Sequence, residues 1–256
     1  MTDRGGGGGS PARDLDRPPA TEGGPPHGEV AKSARAERDR SIARRHERAP
    51  RGTRRPATFF RALKPLVFAL ALVPLALLAW RASADALGAN PIKELEHATG
   101  RWAIRFLALS LAITPLRKLS GWGGLASYRR PLGLFAFFYA TVHLAVFAGL
   151  DLELDFGDVG REIVKRPYIT LGFASWLMLV PLAVTSTKGW IRRLGGRRWN
   201  RLHRLVYAVA VLATIHYFWS QKKDVTEPLL FTAVLAPLLA YRVWTTLAKR
   251  RALARA

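Results

Sequence analysis

The chain contains no cysteine among its 256 residues. Disulfide bonds, iron–sulfur clusters and thiolate metal ligands are therefore excluded. Acidic residues are also scarce, with 18 Asp and Glu against 40 Lys and Arg, which gives a formal net charge of +22. Histidine, present six times, becomes the main candidate for metal binding, because neutral imidazole is the commonest metal ligand in proteins.

Two further absences narrow the reaction classes. No glycine-rich dinucleotide fingerprint follows a predicted strand, and the connections between apolar segments are too short for a nucleotide-binding domain. The glycine run at 5–9 precedes Ser10 and Pro11 rather than a phosphate-binding Lys-Ser/Thr pair, which is typical of a linker. No apolar segment holds a nucleophile with a base or a pair of carboxylates, so hydrolysis has no candidate residues.

Residues 1–58 are predicted to form a disordered basic tail. They are mainly Gly, Pro, Arg, Ala and acidic residues, a composition that cannot bury enough apolar surface to offset the entropy of ordering. The stretch is too long and too polar for a secretory signal peptide. Its arginines are not interleaved with aromatic residues, which argues against a nucleic-acid partner and favours attraction to anionic membrane lipid.

Six apolar segments follow the tail, and each approaches the ~20 residues that a helix needs to cross a bilayer core of ~30 Å. They lie at 62–80, 102–116, 131–150, 168–187, 203–220 and 228–247. The second segment is short and needs Arg101 and Arg105 to extend toward the membrane surface. We therefore predict an all-α fold, an integral membrane bundle of six transmembrane helices over residues 59–256.

Charge alternates between successive connections. The tail, the connection from Arg117 to Arg130, the run at 188–204 and the terminus at 249–255 are strongly basic. The other three connections hold acidic residues with far less basic excess: Asp85, Glu94, Glu96, Asp151, Glu153, Asp155, Asp158, Glu162, Asp224 and Glu227. The positive-inside rule then predicts a multi-pass protein with both termini in the cytoplasm.

Two histidines are predicted to lie at the same depth in the membrane. His143 comes twelve residues after the start of the third segment, and His216 comes thirteen after the start of the fifth. At ~1.5 Å rise per residue both lie roughly ~18–20 Å from the cytoplasmic boundary on parallel helices. This placement favours a haem held by two histidines, while a proton relay or a non-redox membrane scaffold stays open as the alternative.

His203 opens the fifth segment, so it lies near the cytoplasmic side, where the level positions on the third segment are Arg129 and Arg130. Thirteen residues turn a straight helix by ~220°, which points His203 and His216 in different directions unless the helix distorts. Either His203 is an interfacial side chain, or it holds a second haem. Arg129 would then serve as an unusual ligand, a distal group or, most ordinarily, a propionate partner.

Four more candidates lie toward the outer side of the predicted bundle. His97 fits a role in receiving quinol or docking a partner, or is an ordinary interfacial residue. Arg101 and Arg105 are candidates for pairing with haem propionates, with extension to the surface as the alternative. Trp219, one turn beyond His216, is the aromatic residue best placed to pack near a haem there.

Several stretches resemble a known family. They are "YRRPLGLFAFFYATVH", "RPYITLG", "TSTKGW", "RLHRLVY" and "IHYFWS", and the likeness extends over residues 65–244. These stretches resemble MsrQ (YedZ), the family of haem-binding membrane subunits of periplasmic methionine-sulfoxide reductase systems. They are more distantly similar to the transmembrane domain of ferric reductases and NADPH oxidases.

The resemblance implies a six-helix haem b protein of the bacterial inner membrane. Such a protein takes electrons from the quinol pool and passes them to a soluble, molybdenum-containing periplasmic subunit, which carries the catalytic reduction of methionine sulfoxide in oxidised proteins. Flavin mononucleotide (FMN) is implied as a further cofactor. The family's ligand histidines match His143, His203 and His216, and its arginine motif matches Arg129 or Arg130.

The wider oxidase relatives carry two histidines on the third helix. This chain has only His143 there, so one or two haems are expected. A ferric reductase-like carrier that uses a cytoplasmic reductant is the alternative within the redox class.

Overall fold

The structure, a computed structural model, describes residues 57–254 apart from Lys222 and Lys223, together with a few helical residues between 32 and 40. The chain divides into two compact units, Met1–Arg51 and Gly52–Ala256. Most of the tail predicted at 1–58 lies outside the described residues. The second unit contains all of the predicted membrane segments.

Nine α-helices are described in the second unit. They are α1 Ala57–Ala62, α2 Lys64–Ser83, α3 Pro91–Ser120, α4 Arg129–Val146, α5 Phe156–Lys165, α6 Pro167–Val184, α7 Lys188–Leu202, α8 Leu205–Ser220 and α9 Thr226–Ala254. A 3₁₀ helix, Gly123–Tyr128, leads into α4, and a π-helical turn, Phe147–Asp151, continues it. The described residues contain no strand, which confirms the all-α prediction.

Four helical stretches are long and apolar enough to cross a membrane. They are Lys64–Ser83, Gly123–Asp151, Pro167–Val184 and Thr226–Ala254. Helices α7 and α8 make a fifth if the pair, bent by 42°, counts as one span. The predicted second segment lies inside α3, which is not among these because arginine and lysine near both of its apolar boundaries lower its mean hydropathy. The protein is a multi-pass membrane helical bundle.

Two helices lie in connections where the segment pattern predicted none. Helix α5 is capped by Asp155, whose carboxylate accepts hydrogen bonds from Gly157 N at 2.8 Å and Asp158 N at 3.0 Å. Helix α7 is capped by the hydroxyl of Thr187, which accepts from Trp190 N at 3.3 Å. Neither helix has an apolar run long enough for a span, so hydropathy alone could not reveal them.

The bundle packs mainly as two helix pairs, α3 against α4 and α6 against α8. Buried hydroxyls also connect helices of the bundle. Tyr139, with no exposed surface, donates to the carbonyl oxygen of Ala71 at 2.7 Å, and Ser110 donates to that of Arg129 at 3.0 Å. Large apolar side chains such as Leu70 and Trp244 face outward instead, as expected for a surface solvated by lipid.

Candidate functional site

His143 on α4 and His216 on α8 lie side by side in the bundle. Their ring centroids are 6.1 Å apart and the ring planes differ by 69°. Both rings face a cavity of about 650 Å³, here called the histidine-pair cavity, which is walled by Leu107, Phe147, Phe173, Trp176 and Leu179 among others. Two residues that are 73 positions apart in the sequence therefore share one site.

Each imidazole of the pair is held by a backbone carbonyl. His143 Nδ1 lies 2.9 Å from the carbonyl oxygen of Glu96, and His216 Nδ1 lies 2.6 Å from that of Tyr168. A carbonyl oxygen can only accept, so Nδ1 carries the proton in both rings. The Nε2 atom of each ring then keeps its lone pair, which is the tautomer that metal-binding histidines have when the other nitrogen is fixed in this way.

A glycine makes room for each ring, and it lies four residues after the carbonyl that holds that ring. A Cβ atom on Gly100 would come within 3.3 Å of Cε1 and Nδ1 of His143. A Cβ atom on Gly172 would come within 2.8 Å of the same atoms of His216. Helices α3 and α6 thus hold a histidine of a neighbouring helix in the same way. Each provides a backbone carbonyl that contacts the ring and, one turn later, a glycine that leaves space for it.

His143 and His216 are residues that would hold the iron of a haem. An imidazole nitrogen binds a transition metal at ~2.0–2.1 Å, and the 6.1 Å between the ring centroids would leave room for a metal ion. In the described part of the chain no group of three or more His, Cys, Asp or Glu could hold a metal ion. Haem needs only two axial ligands from the protein, and the cavity volume falls within the ~300–1,000 Å³ of ligand pockets.

The rim of the histidine-pair cavity is polar. His97 and Arg101 both line it, as does Tyr217. Tyr217 donates from its hydroxyl to Glu227 Oε2 at 2.6 Å, and Arg101 Nη1 lies 3.7 Å from that same oxygen.

The other two sequence candidates for this side lie elsewhere. Arg105 stacks over the Trp102 ring, 4.7 Å from its centroid. Trp219 is 58% exposed and is not among the residues that line the cavity.

His203 lies apart from this pair, in a second cavity of about 970 Å³. Arg129, Arg130, Arg204 and Arg242 line the same cavity, which we call the arginine-lined cavity. The structure thus brings His203 together with Arg129 and Arg130, the two arginines predicted to lie at the same membrane depth. It does not bring His203 near His143 and His216.

Different contacts hold His203. Its ring stacks on Trp199 with centroids 3.8 Å apart, and its Nε2 lies 3.1 Å from Thr185 Oγ1. The Thr185 hydroxyl donates to the carbonyl oxygen of Pro181 at 2.6 Å, so this oxygen accepts from His203 Nε2. Nδ1 is the nitrogen left with a lone pair, the reverse of the arrangement in the histidine pair.

His203 and His216 serve different cavities, as expected from the thirteen residues and ~220° of helical turn between them. His203 is the C-cap of α7 rather than the first residue of a straight fifth helix. The chain bends by 42° between α7 and α8 at this point.

Several residues of these cavities were missed by the sequence reasoning. Gly100 and Gly172 resemble the other small residues of apolar helices. The groups that contact the histidine rings at Glu96 and Tyr168 are backbone carbonyls, which the sequence does not distinguish. The spacing of four residues is not a signal in the sequence, because every residue has a backbone carbonyl. Arg242 lies inside the sixth apolar segment and was not among the sequence candidates.

Comparison with known proteins gives the family. Residues 99–214 match the family described as ferric reductase like transmembrane component, a region that contains His143 and His203 and ends two residues before His216. The protein-methionine-sulfoxide reductase heme-binding subunit MsrQ of Xanthomonas euvesicatoria pv. vesicatoria is 54% identical over 200 residues, covering 76% of this chain and 91% of that protein. The chain belongs to the MsrQ family.

Other MsrQ proteins are similarly related. That of Xanthomonas oryzae pv. oryzae is 54% identical over 198 residues, and that of Herminiimonas arsenicoxydans is 47% identical over 197 residues. Each of these alignments covers 75% of this chain and 90% of the relative. The family resemblance drawn from the sequence motifs is confirmed.

Proposed function

We propose that this protein is the membrane electron-transfer subunit of a protein-methionine-sulfoxide reductase and that it binds haem b between His143 and His216. One observation carries the proposal: the two imidazoles lie 6.1 Å apart, and each is fixed through Nδ1 to a backbone carbonyl. Both Nε2 atoms are therefore available to one iron. When bound, the haem supplies one-electron chemistry; the catalytic reduction belongs to a separate soluble subunit.

The residues of the chain position the iron ligands and surround them in part with apolar side chains. The carbonyls at Glu96 and Tyr168 fix the ring orientation and favour the tautomer that binds metal. Apolar side chains such as Phe173 and Leu179 wall the cavity and lower its polarity. The orientation of the ligands and the polarity around them are features with which a protein sets the potential of a haem.

The proposal includes six membrane crossings. Helix α3 has 30 residues, which at ~1.5 Å per residue is about 45 Å and longer than the membrane core. Its apolar middle supplies the sixth span, with the charged residues near its boundaries at the membrane surfaces. The positive-inside rule then puts both termini in the cytoplasm of a bacterium and the histidine pair in the outer half of the inner membrane.

The arginine-lined cavity supports a second haem. His203 lines it together with Arg129 and Arg130, which are suited to haem propionates because guanidinium groups bind carboxylates with two parallel hydrogen bonds. Direct coordination of iron by Arg129 is the less ordinary alternative. Two haems near opposite faces would carry electrons across the bilayer.

Electrons enter from the quinol pool and leave toward a periplasmic, molybdenum-containing methionine-sulfoxide reductase. The name of the relatives supports the reductase partner, whereas quinol, molybdenum and the periplasmic location rest on the family resemblance. FMN belongs to the proposal on that resemblance alone.

Spectroscopy of the purified protein tests this function. We expect a reducible b-type haem spectrum that appears with a reduced quinone as donor, does not appear with a reduced nicotinamide, and is reversed when the soluble reductase and an oxidised protein are added. A colourless protein would favour the proton relay or scaffold, because neither needs a chromophore. Reduction by the nicotinamide donor alone would favour a ferric reductase-like carrier.

A further inference from the structure

The arginine-lined cavity has positive charge with no compensating acid. Four arginines and His203 line it, and none of the described lining residues is Asp or Glu. Between residues 57 and 254, the described acidic residues all lie in or beside the connections α2 to α3, α4 to α6 and α8 to α9. The histidine-pair cavity, by contrast, is lined by Glu96, Asp151, Glu162 and Asp224.

Arg242 is the arginine that most clearly lacks a partner. Its Nε and Nη2 atoms are buried and have no hydrogen-bond partner among the described residues. These two atoms form one edge of the guanidinium group, with parallel N–H bonds that match the two oxygens of a carboxylate or a phosphate. Leaving charged donors buried and unpaired is costly, so such an edge indicates a missing oxyanion.

The residues around Arg242 indicate the chemical character of the rest of the ligand. Apolar side chains, including Leu111, Phe137, Leu179 and Leu239, form much of the wall of the same cavity. A small inorganic anion would leave this wall without a partner. The cavity therefore suits an amphiphilic molecule whose apolar body fills the space and whose acidic group reaches Arg242.

We propose that Arg242 is the binding residue for the carboxylate or phosphate group of an amphiphilic ligand in the arginine-lined cavity. Two sources supply this chemistry. One is a propionate of the second haem, and this source rests on the proposed function. The other is the phosphate of an anionic phospholipid, which does not depend on that function.

Two substitutions at Arg242 test the proposal. Arg242→Lys keeps the charge but loses the paired N–H edge, and Arg242→Gln loses both. Arg251→Gln, at an exposed position on the same helix, is the matched control. Each purified protein is measured for haem per chain, for co-purified phospholipid by mass spectrometry, and for the spectrum of the haem at His143 and His216, which reports correct folding.

We expect both Arg242 variants to bind the ligand roughly tenfold to a hundredfold more weakly, because hydrogen bonds to a charged group are lost, and we expect the control to be unchanged. Loss of one haem with the histidine-pair haem retained identifies the carboxylate source. Loss of bound anionic phospholipid with unchanged haem identifies the phosphate source. Unchanged haem and phospholipid in both variants would overturn the proposal.

Native mass spectrometry of the unaltered chain gives a test that needs no variant. We expect either a second haem or a tightly bound anionic phospholipid, and finding neither would also overturn the proposal. A chain without any haem would refute the proposed function, but the role of Arg242 would still be decided by the phospholipid measurement. The two failures are thus distinguishable.

Discussion

The two cavities of this bundle hold their histidines in different ways. In the histidine-pair cavity, His143 and His216 are fixed through Nδ1 by backbone carbonyls of neighbouring helices. In the arginine-lined cavity, His203 is fixed through Nε2 by the Thr185 hydroxyl and by stacking on Trp199. The first arrangement offers two free nitrogens to one metal, whereas the second offers one nitrogen and a set of guanidinium groups.

The difference shows how each cavity depends on sequence. A backbone carbonyl is present whatever the side chain, so the two carbonyl contacts do not depend on the side chains of Glu96 and Tyr168, whereas a Cβ added at Gly100 or Gly172 would meet the rings. The arginine-lined cavity depends on side-chain charge, so its properties change with single substitutions of His203, Arg129 or Arg242. Single substitutions can therefore separate the two cavities experimentally.

Among single substitutions, His203→Ala is expected to produce the largest difference in haem content between the two cavities. The variant should lose the haem assigned to the arginine-lined cavity and keep the spectrum of the haem at His143 and His216, because the two cavities share no histidine. Haem quantification before and after reduction measures this. If the variant lost all haem and no longer folded, His203 would be a structural residue that ties α6 to the bend between α7 and α8.

A smaller, graded effect is expected at the two glycines. Gly172→Ala should weaken the histidine-pair haem more than Gly100→Ala, because the added Cβ would lie 2.8 Å from the His216 ring but 3.3 Å from the His143 ring. Displacing a packed ring costs ~1–3 kcal/mol, so haem retention should fall roughly tenfold or more for Gly172→Ala. Competition with a haem-scavenging protein measures the loss.

Gly160→Ala is the matched control for this pair, since no atom lies within 4 Å of its added Cβ. Equal haem loss in all three variants would contradict the specific fit of the rings against Gly100 and Gly172.

The sequence predicted the meeting of His143 and His216 because helical rise converts sequence position into membrane depth. It did not reveal the groups that hold the rings, since carbonyl oxygens at Glu96 and Tyr168 leave no mark in the side-chain pattern. The separation of His203 from His216 agrees with the same helical geometry, whereas the 42° bend beside His203 is not shown by periodicity. A binding role for Arg242 could be proposed only from the structure, which places the unpaired N–H edge of its guanidinium group inside a cavity.

The most direct test of the central proposal is to count the histidine ligands of the remaining haem in the His203→Ala protein. Hyperfine spectroscopy of the ferric haem, with histidine labelled by ¹⁵N, should detect two imidazole nitrogens bound to one iron. Replacing either His143 or His216 by alanine should abolish this haem, while His97→Ala, at another histidine of the same cavity, should leave it intact. A single imidazole ligand, or a full haem spectrum after loss of either member of the pair, would contradict the proposal.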